Sequence, residues 1–382
     1  MSELIQIRTH TNIRFHLLAT VSMLSLLTAA ASQAKAEDAD RPTVWIELGA
    51  QLDSLSAGDE AFAPSLLDAR PSMFSPSQSF EHAPRRSFGA NGAVSFQPEN
   101  SSWVFSASVR YGRSNSNKHV HQQTYPDYYH AIHTSVFPQS KPPRAANFAD
   151  TLIRNSESHT VLDFNVGKDV GLGLFGNAKG SSIFNLGVRY AQFSSRSNIA
   201  IRSIPDWHFG IQYFETYGYT YKFLDQPYHS NAASLLADRS FHGIGPSLSW
   251  KASAPVVGNS DHGELTFDWG LNGAVLFGRQ RAQIEHQQTQ RYYNGIIIPF
   301  DPYKKLITVY QHATPHTRSH SVAVPNLGGF AGLSMKYGAA KVSFGYRADF
   351  FFGAMDGGID VRKTYDRNFH GPYATISIGL GG

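Results

Sequence analysis

The sequence predicts an all-β fold, a transmembrane antiparallel up-and-down β-barrel that follows a cleaved export signal. Three observations carry this expectation. The first 36 residues have the layout of a signal peptide, the rest alternates apolar and polar residues in short stretches, and the connectors between those stretches alternate long and short.

Export comes first in the chain. Arg8 and Arg14 precede an apolar run at 17–31, and Ala34-Lys35-Ala36 stands before Glu37. Such a run is too short to span a bilayer, and a small-residue cleavage site follows it. The expected division is therefore a signal peptide at 1–36 and a barrel domain at 37–382. Glu37 stands where a lipoprotein would need cysteine.

Residues 43–53 show the strand pattern best: Val44, Ile46, Leu48, Ala50 and Leu52 share one face, Trp45, Glu47, Gly49, Gln51 and Asp53 the other. A period of two is a strand with one apolar and one polar face. The second stretch, 87–97, sets Phe88, Val94 and Phe96 against Asn91, Ser95 and Gln97. In the third, Phe105, Val109 and Tyr111 oppose Ser106, Ser108 and Arg110. The fourth opposes Leu162, Phe164 and Val166 to His159, Asp163 and Asn165; the fifth opposes Leu186 and Val188 to Asn185 and Arg189. The sixth, 240–251, contains Pro246, which calls for a bulge or a missing ladder bond. The seventh sets Phe267, Trp269 and Leu271 against Thr266, Asp268 and Asn272. The eighth, 321–336, changes phase at Pro325. Val342, Phe344 and Tyr346 face away from Lys341, Arg347 and Asp349 in the ninth; Ile376 and Ile378 oppose Thr375 and Ser377 in the tenth.

A tilted strand of roughly 9–11 residues crosses a membrane. Long connectors are expected at 54–86, 114–157, 194–239, 280–320 and 353–369, short ones at 98–101, 169–181, 252–262 and 337–340. Short periplasmic turns and long external loops produce that alternation in bacterial barrels. Residues 207–222 also alternate, as a loop hairpin or an added strand pair, leaving ten or twelve strands open.

Composition excludes several classes. With 0 Cys there is neither a disulfide framework nor a thiolate metal site. The formal charge of +4 falls to about +2 once residues 1–36 are removed, which gives no basis for a nucleic-acid partner.

Three motifs bear on chemistry. Gly171, Gly173 and Gly176 match a dinucleotide fingerprint by letter, but no helix pattern follows them, so they read as a turn and no cofactor is expected. His119, His121, His130 and His133, and again His312, His316 and His320, have spacings that could hold a metal; they read as hydrophilic loop residues, and no metal site is assigned. His159 and Asp163 share a face but lie roughly 13 Å apart along it. They form no dyad without partners from other strands, so no catalytic residue is assigned and no enzyme is expected. The informative group is the inward charges: Glu47, Asp163, Asp268 and Asp349 beside Arg110, Arg189, Lys341 and Arg347. A lone buried charge is costly, so acids and bases are expected to pair across the lumen and to line any pore there.

Three stretches carry a family resemblance: 102–112 (Ser-Trp-Val-Phe-Ser-Ala-Ser-Val-Arg-Tyr-Gly), 241–250 (Phe-His-Gly-Ile-Gly-Pro-Ser-Leu-Ser-Trp) and 271–278 (Leu-Asn-Gly-Ala-Val-Leu-Phe-Gly). They resemble the Legionella major outer membrane protein-like family of pore-forming barrels. That resemblance implies a passive pore for small solutes in a Gram-negative outer membrane, and no catalytic residues. The family's founding type is rich in cysteine, so its disulfide-linked assembly does not transfer to this chain. The expected partners are outer-membrane lipid, small solutes and, during biogenesis, the barrel-assembly machinery. A rim-site hydrolase and a non-conducting surface or adhesion barrel are the alternatives.

Overall fold

The computed structural model describes residues 44–57, 85–98, 101–124, 147–169, 181–204, 210–216, 219–225, 230–259, 263–294 and 305–380. The expected signal peptide and the glycines at 171–176 lie outside them. Twelve strands are formed: β1 Val44–Ala57, β2 Arg85–Phe96, β3 Trp103–Thr124, β4 Asn147–Asp169, β5 Ser181–Ile204, β6 Gly210–Thr216, β7 Tyr219–Asp225, β8 Ser230–Asn259, β9 Gly263–Asn294, β10 Lys305–Tyr337, β11 Ala340–Asp356 and β12 Thr364–Leu380. Ten close into a barrel in chain order, with β12 returning to β1. Among the described residues β6 and β7 pair only with each other, so the added alternation is a hairpin outside the barrel, which has ten strands.

Closure fixes the tilt. A row of facing residues that leaves β10 at Met335 passes Val342, Ile376, Leu48, Gly92, Val109, Leu162, Tyr190, Ile244 and Phe277, and returns to β10 at Ala323, twelve residues away. With about 3.3 Å per residue and about 4.8 Å between strands, this stagger tilts the strands by roughly 40° to the barrel axis.

The alternation falls as expected. Leu186, Leu271 and Phe344 point outward with 65%, 56% and 66% of their surface exposed, and every barrel strand adds apolar side chains to the same belt. Soluble proteins rarely expose so large an apolar surface, and a closed barrel satisfies its backbone inside a bilayer. The belt is a lipid contact, and the chain is a transmembrane β-barrel.

Two expectations need correction, and a third, at Pro246, is narrowed to one of its two alternatives. Most of the expected loop residues at 114–157, 194–239 and 280–320 are strand: β3, β4, β5, β8, β9 and β10 rise past the belt, forming a tall wall beside the shorter β1, β2, β11 and β12. Pro325 changes no pleat, since β10 keeps its register on β9 from His316 to Lys336. What changes there is chemistry: Leu327 faces out, whereas Val324 is fully buried inside. At Pro246 the β8–β9 ladder skips Gly245 and Pro246 with no register shift, so the missing ladder bond is the solution adopted, not a bulge.

Two glycines set turns. Gly338, at φ +55°, lets β10 return as β11 through Tyr337 and Ala340. Gly353, at φ +63°, lies where the β11–β12 register shifts and the chain folds into the barrel mouth.

Candidate functional site in the barrel lumen

The eight charges expected inside all point inward. Parity alone puts them there, because every second residue of a pleated strand shares a face. At the end of the barrel with short turns six of them, Glu47, Arg110, Asp163, Arg189, Lys341 and Arg347, line a polar vestibule of about 540 Å³.

Three of the expected acid–base pairs form. Arg189 Nε donates to Asp163 Oδ1 at 2.6 Å, and its Nη1 reaches Asn272 Oδ1 at 2.6 Å and also Asn326. Lys341 Nζ lies 2.6 Å from Asp268 Oδ2, while Ser253 and Ser334 also donate to that carboxylate. Arg110 on β3 reaches across to Asp349 on β11. Arg347 and Glu47 depart from the expectation. Among the described residues Arg347 has no carboxylate partner; it lies over the rings of Tyr373, at 5.0 Å, and Phe330, at 5.5 Å. Glu47 instead accepts from Asn91 at 3.4 Å and Ser377 at 3.3 Å. Parity also puts Lys251 in the vestibule lining, a residue the sequence reading had not singled out although Ser247 and Ser249 share its face.

Above this polar tier the lumen closes. His159 faces Asp53, Nε2 to Oδ2 at 3.5 Å, and its ring centroid is 4.2 Å from that of Phe369. His159 and Asp163 thus serve different partners, and His159 is buried. Next comes a packed apolar layer of Phe193, Phe241, Leu276, Val324, Phe351 and Phe369. Phe193 stacks on Phe241 at 5.7 Å and meets Phe351 edge-on at 4.8 Å. A second apolar layer, including Ile153, Ile199, Leu235 and Ile284, lies further up the tall wall. Between strand-borne groups sits a buried ion pair, Glu157 with Arg367, both at most 3% exposed.

The segment between β11 and β12 folds down onto this stopper. Met355, Asp356, Gly357, Gly358 and Ile359 are buried. Arg318 holds it: Nε donates to Asp356 Oδ2 at 3.1 Å, Nη2 to the Gly358 carbonyl at 2.9 Å, and Nη1 to that of Ile359. Arg239 donates to the Gly357 carbonyl at 3.3 Å, and His286 lies 2.9 Å from Asp360. The expected long loop at 353–369 is therefore a strand pair with an inward-turned tip.

Of the loop histidines, His130 and His133 lie outside the described residues, as does the side chain of His312. His119 and His121 stand on β3 beside Asp150 of β4, at 3.3 and 2.6 Å from its Oδ1. Hydrogen bonding to His121 holds the Asp150 carboxyl below the usual carboxylate range. Among the described residues no group of three donors meets metal-site geometry.

No family model matches the chain, and no curated protein matches it. Among solved structures it is similar to the translocator domain of the autotransporter NalP from Neisseria meningitidis, at 9% identity over 95% of both chains, with a TM-score of 0.25. It is also similar to a monoaromatic hydrocarbon channel, the TodX deltaS2S3 mutant, at 9% identity over 90% of this chain and 91% of that one, TM-score 0.20. A third likeness is to outer-membrane expressed OmpT of Vibrio cholerae, at 10% identity over 91% and 99%, TM-score 0.14. Superpositions this loose carry no argument about the lumen.

Proposed function

We propose that this chain is an outer-membrane surface barrel that does not conduct in the form described, and that acts through the wall it raises beyond the lipid. One observation carries the reading: the stopper belongs to the strands themselves. Phe193, Phe241, Leu276, Val324 and Phe369 sit on β5, β8, β9, β10 and β12, so release of the β11–β12 tip would leave most of that layer in place. We assign the short turns to the periplasm and the tall wall to the cell exterior, because bacterial barrels place short turns inside and long segments outside. No catalytic role is assigned to any residue. Export by a signal peptide at 1–36 and folding by the barrel-assembly machinery belong to the same proposal.

A passive pore for small solutes is the second reading, favoured by the charge-lined vestibule and by the three stretches that resemble the Legionella major outer membrane protein-like family. Single-channel recording of refolded protein in planar bilayers separates the two. The surface reading expects no steady conductance. Steady channels would overturn it, and Arg347→Gln should then shift permeability towards cations by removing an inward positive charge.

A further inference from the structure

We propose that the outward face of β3, β4, β5, β8 and β9 binds the phosphate-bearing headgroup of an outer-leaflet glycolipid. The site goes beyond the surface reading and depends only on the tall wall facing outward.

It is built by register. Across neighbouring strands run Arg113, Ser158, Ser194, Ser240 and Arg281, each facing the next. Arg113, Ser194 and Arg281 alternate with inward side chains and point away from the lumen, so the row lies on the outer surface. Three short serines between two long arginines leave a trough, and a groove of about 570 Å³ follows them. The hydroxyls offer donors and acceptors to sugar or phosphate oxygens, and a guanidinium matches phosphate with paired donors.

The charge favours an anion. Among the described residues no carboxylate pairs with Arg113 or Arg281. The acid that lines the groove from the outer face, Asp238, is already matched by Arg196, whose Nε and Nη2 donate to it at 2.5 and 2.9 Å. Basic side chains beside an anionic leaflet add attraction of about 1 kcal/mol each near the surface.

Position selects a lipid over a free anion. Tyr111 lines the lower edge of the groove, and the row two residues below Arg113 and Ser194 on the membrane side leads into Val109, Leu162 and Tyr190 of the belt. A ligand with acyl chains can therefore lay them on the belt while its head occupies the trough.

The test uses the full barrel refolded in detergent, titrated with lipopolysaccharide and with the same lipid after phosphate removal. Arg113→Gln and Arg281→Gln should each weaken binding of the phosphorylated lipid about fivefold, and together more than tenfold. Lys168→Gln, an outward lysine at the opposite edge of the belt, should leave it unchanged. Dephosphorylated lipid should bind wild type and both variants alike and weakly. The proposal is overturned if the two variants bind phosphorylated lipid as wild type does, or if phosphate removal leaves wild-type affinity unchanged. Circular dichroism of the variants guards against loss of fold, and conductance plays no part in the readout, so a conducting barrel would leave this result intact.

Discussion

β5 belongs to two different proteins along its length. Up to Tyr190 its outward side chains are Phe184, Leu186, Val188 and Tyr190, and its inward ones include Asn185 and Arg189. Beyond that, the outward ones are Gln192, Ser194, Arg196 and Asn198, and the inward ones include Ala191, Phe193, Ile199 and Ile201. The pleat is unbroken, for β5 keeps one register on β4 from end to end. Only the solvent changes. In lipid the apolar face turns out and the lumen takes the polar groups; in water the barrel buries its apolar face inside, like any soluble sheet. β9 inverts likewise, with Val275 and Phe277 outward giving way to Arg279 and Arg281, while Leu276, Ala282 and Ile284 are buried inside. The inversion marks where the membrane ends, and it also explains why the lumen shuts where it does.

The difference between the halves can be broken most severely at the ion pair embedded in the upper one. Arg367→Met removes the guanidinium that donates to the buried Glu157 carboxylate and should lower stability by about 3–5 kcal/mol. Adding Glu157→Gln should restore most of that loss. Urea unfolding of the two variants in detergent or lipid reads both, and equal stabilities would show that the pair is hydrated. The apolar faces come next. Phe193→Ala, inside the stopper, should cost about 3–5 kcal/mol, whereas Phe277→Ala on the lipid face should cost clearly less, because lipid closes around the smaller side chain. Similar losses at the two sites would mean that the stopper is not packed as described.

Charge sharpens the contrast from the other side. Leu186→Arg, Leu271→Arg or Phe344→Arg should each destabilise by roughly 2–4 kcal/mol, and Ser95→Arg in the vestibule lining by much less. Asn272 is unsuitable for that comparison, since its Oδ1 accepts from Arg189. The smallest effect belongs to Asp150 on the outer wall. Its folded pKa is depressed by His121, so its contribution is present above the usual carboxylate range and is lost as pH falls through the folded value. Melting temperatures of wild type and Asp150→Asn should therefore differ slightly at neutral pH and converge in acid; a gap that widened in acid would reverse the sign.

The eight inward charges were legible because parity needs no partner: once a strand is recognised, every second residue follows. Which acid meets which base was legible only in part. Asp163 and Arg189 face each other on adjacent strands. Arg110 and Asp349, on β3 and β11, are brought together across the lumen, a property of the closed ring and not of any one strand. Strand ends were misread for a different reason. Phe193 and Ile199 share a face with Arg189, so a pattern expecting one chemistry per face stops at the belt. An apolar face that changes sides in mid-strand, as at Pro325 in β10, is the signal that would have found both the tall wall and the stopper.

The seam between β1 and β12 differs from every other pairing in the barrel. It joins Val44 to Leu380, almost the full length of the described chain, while all other pairs join strands that follow one another or flank the β6–β7 hairpin. Until it forms, two strand edges present backbone donors and acceptors that hydrocarbon cannot satisfy, at several kcal/mol for each group. Insertion without closure is thus an uphill state, and a chain shortened at either end would lose the bilayer and not merely one ladder. Its stability is held in common by the first strand and the last.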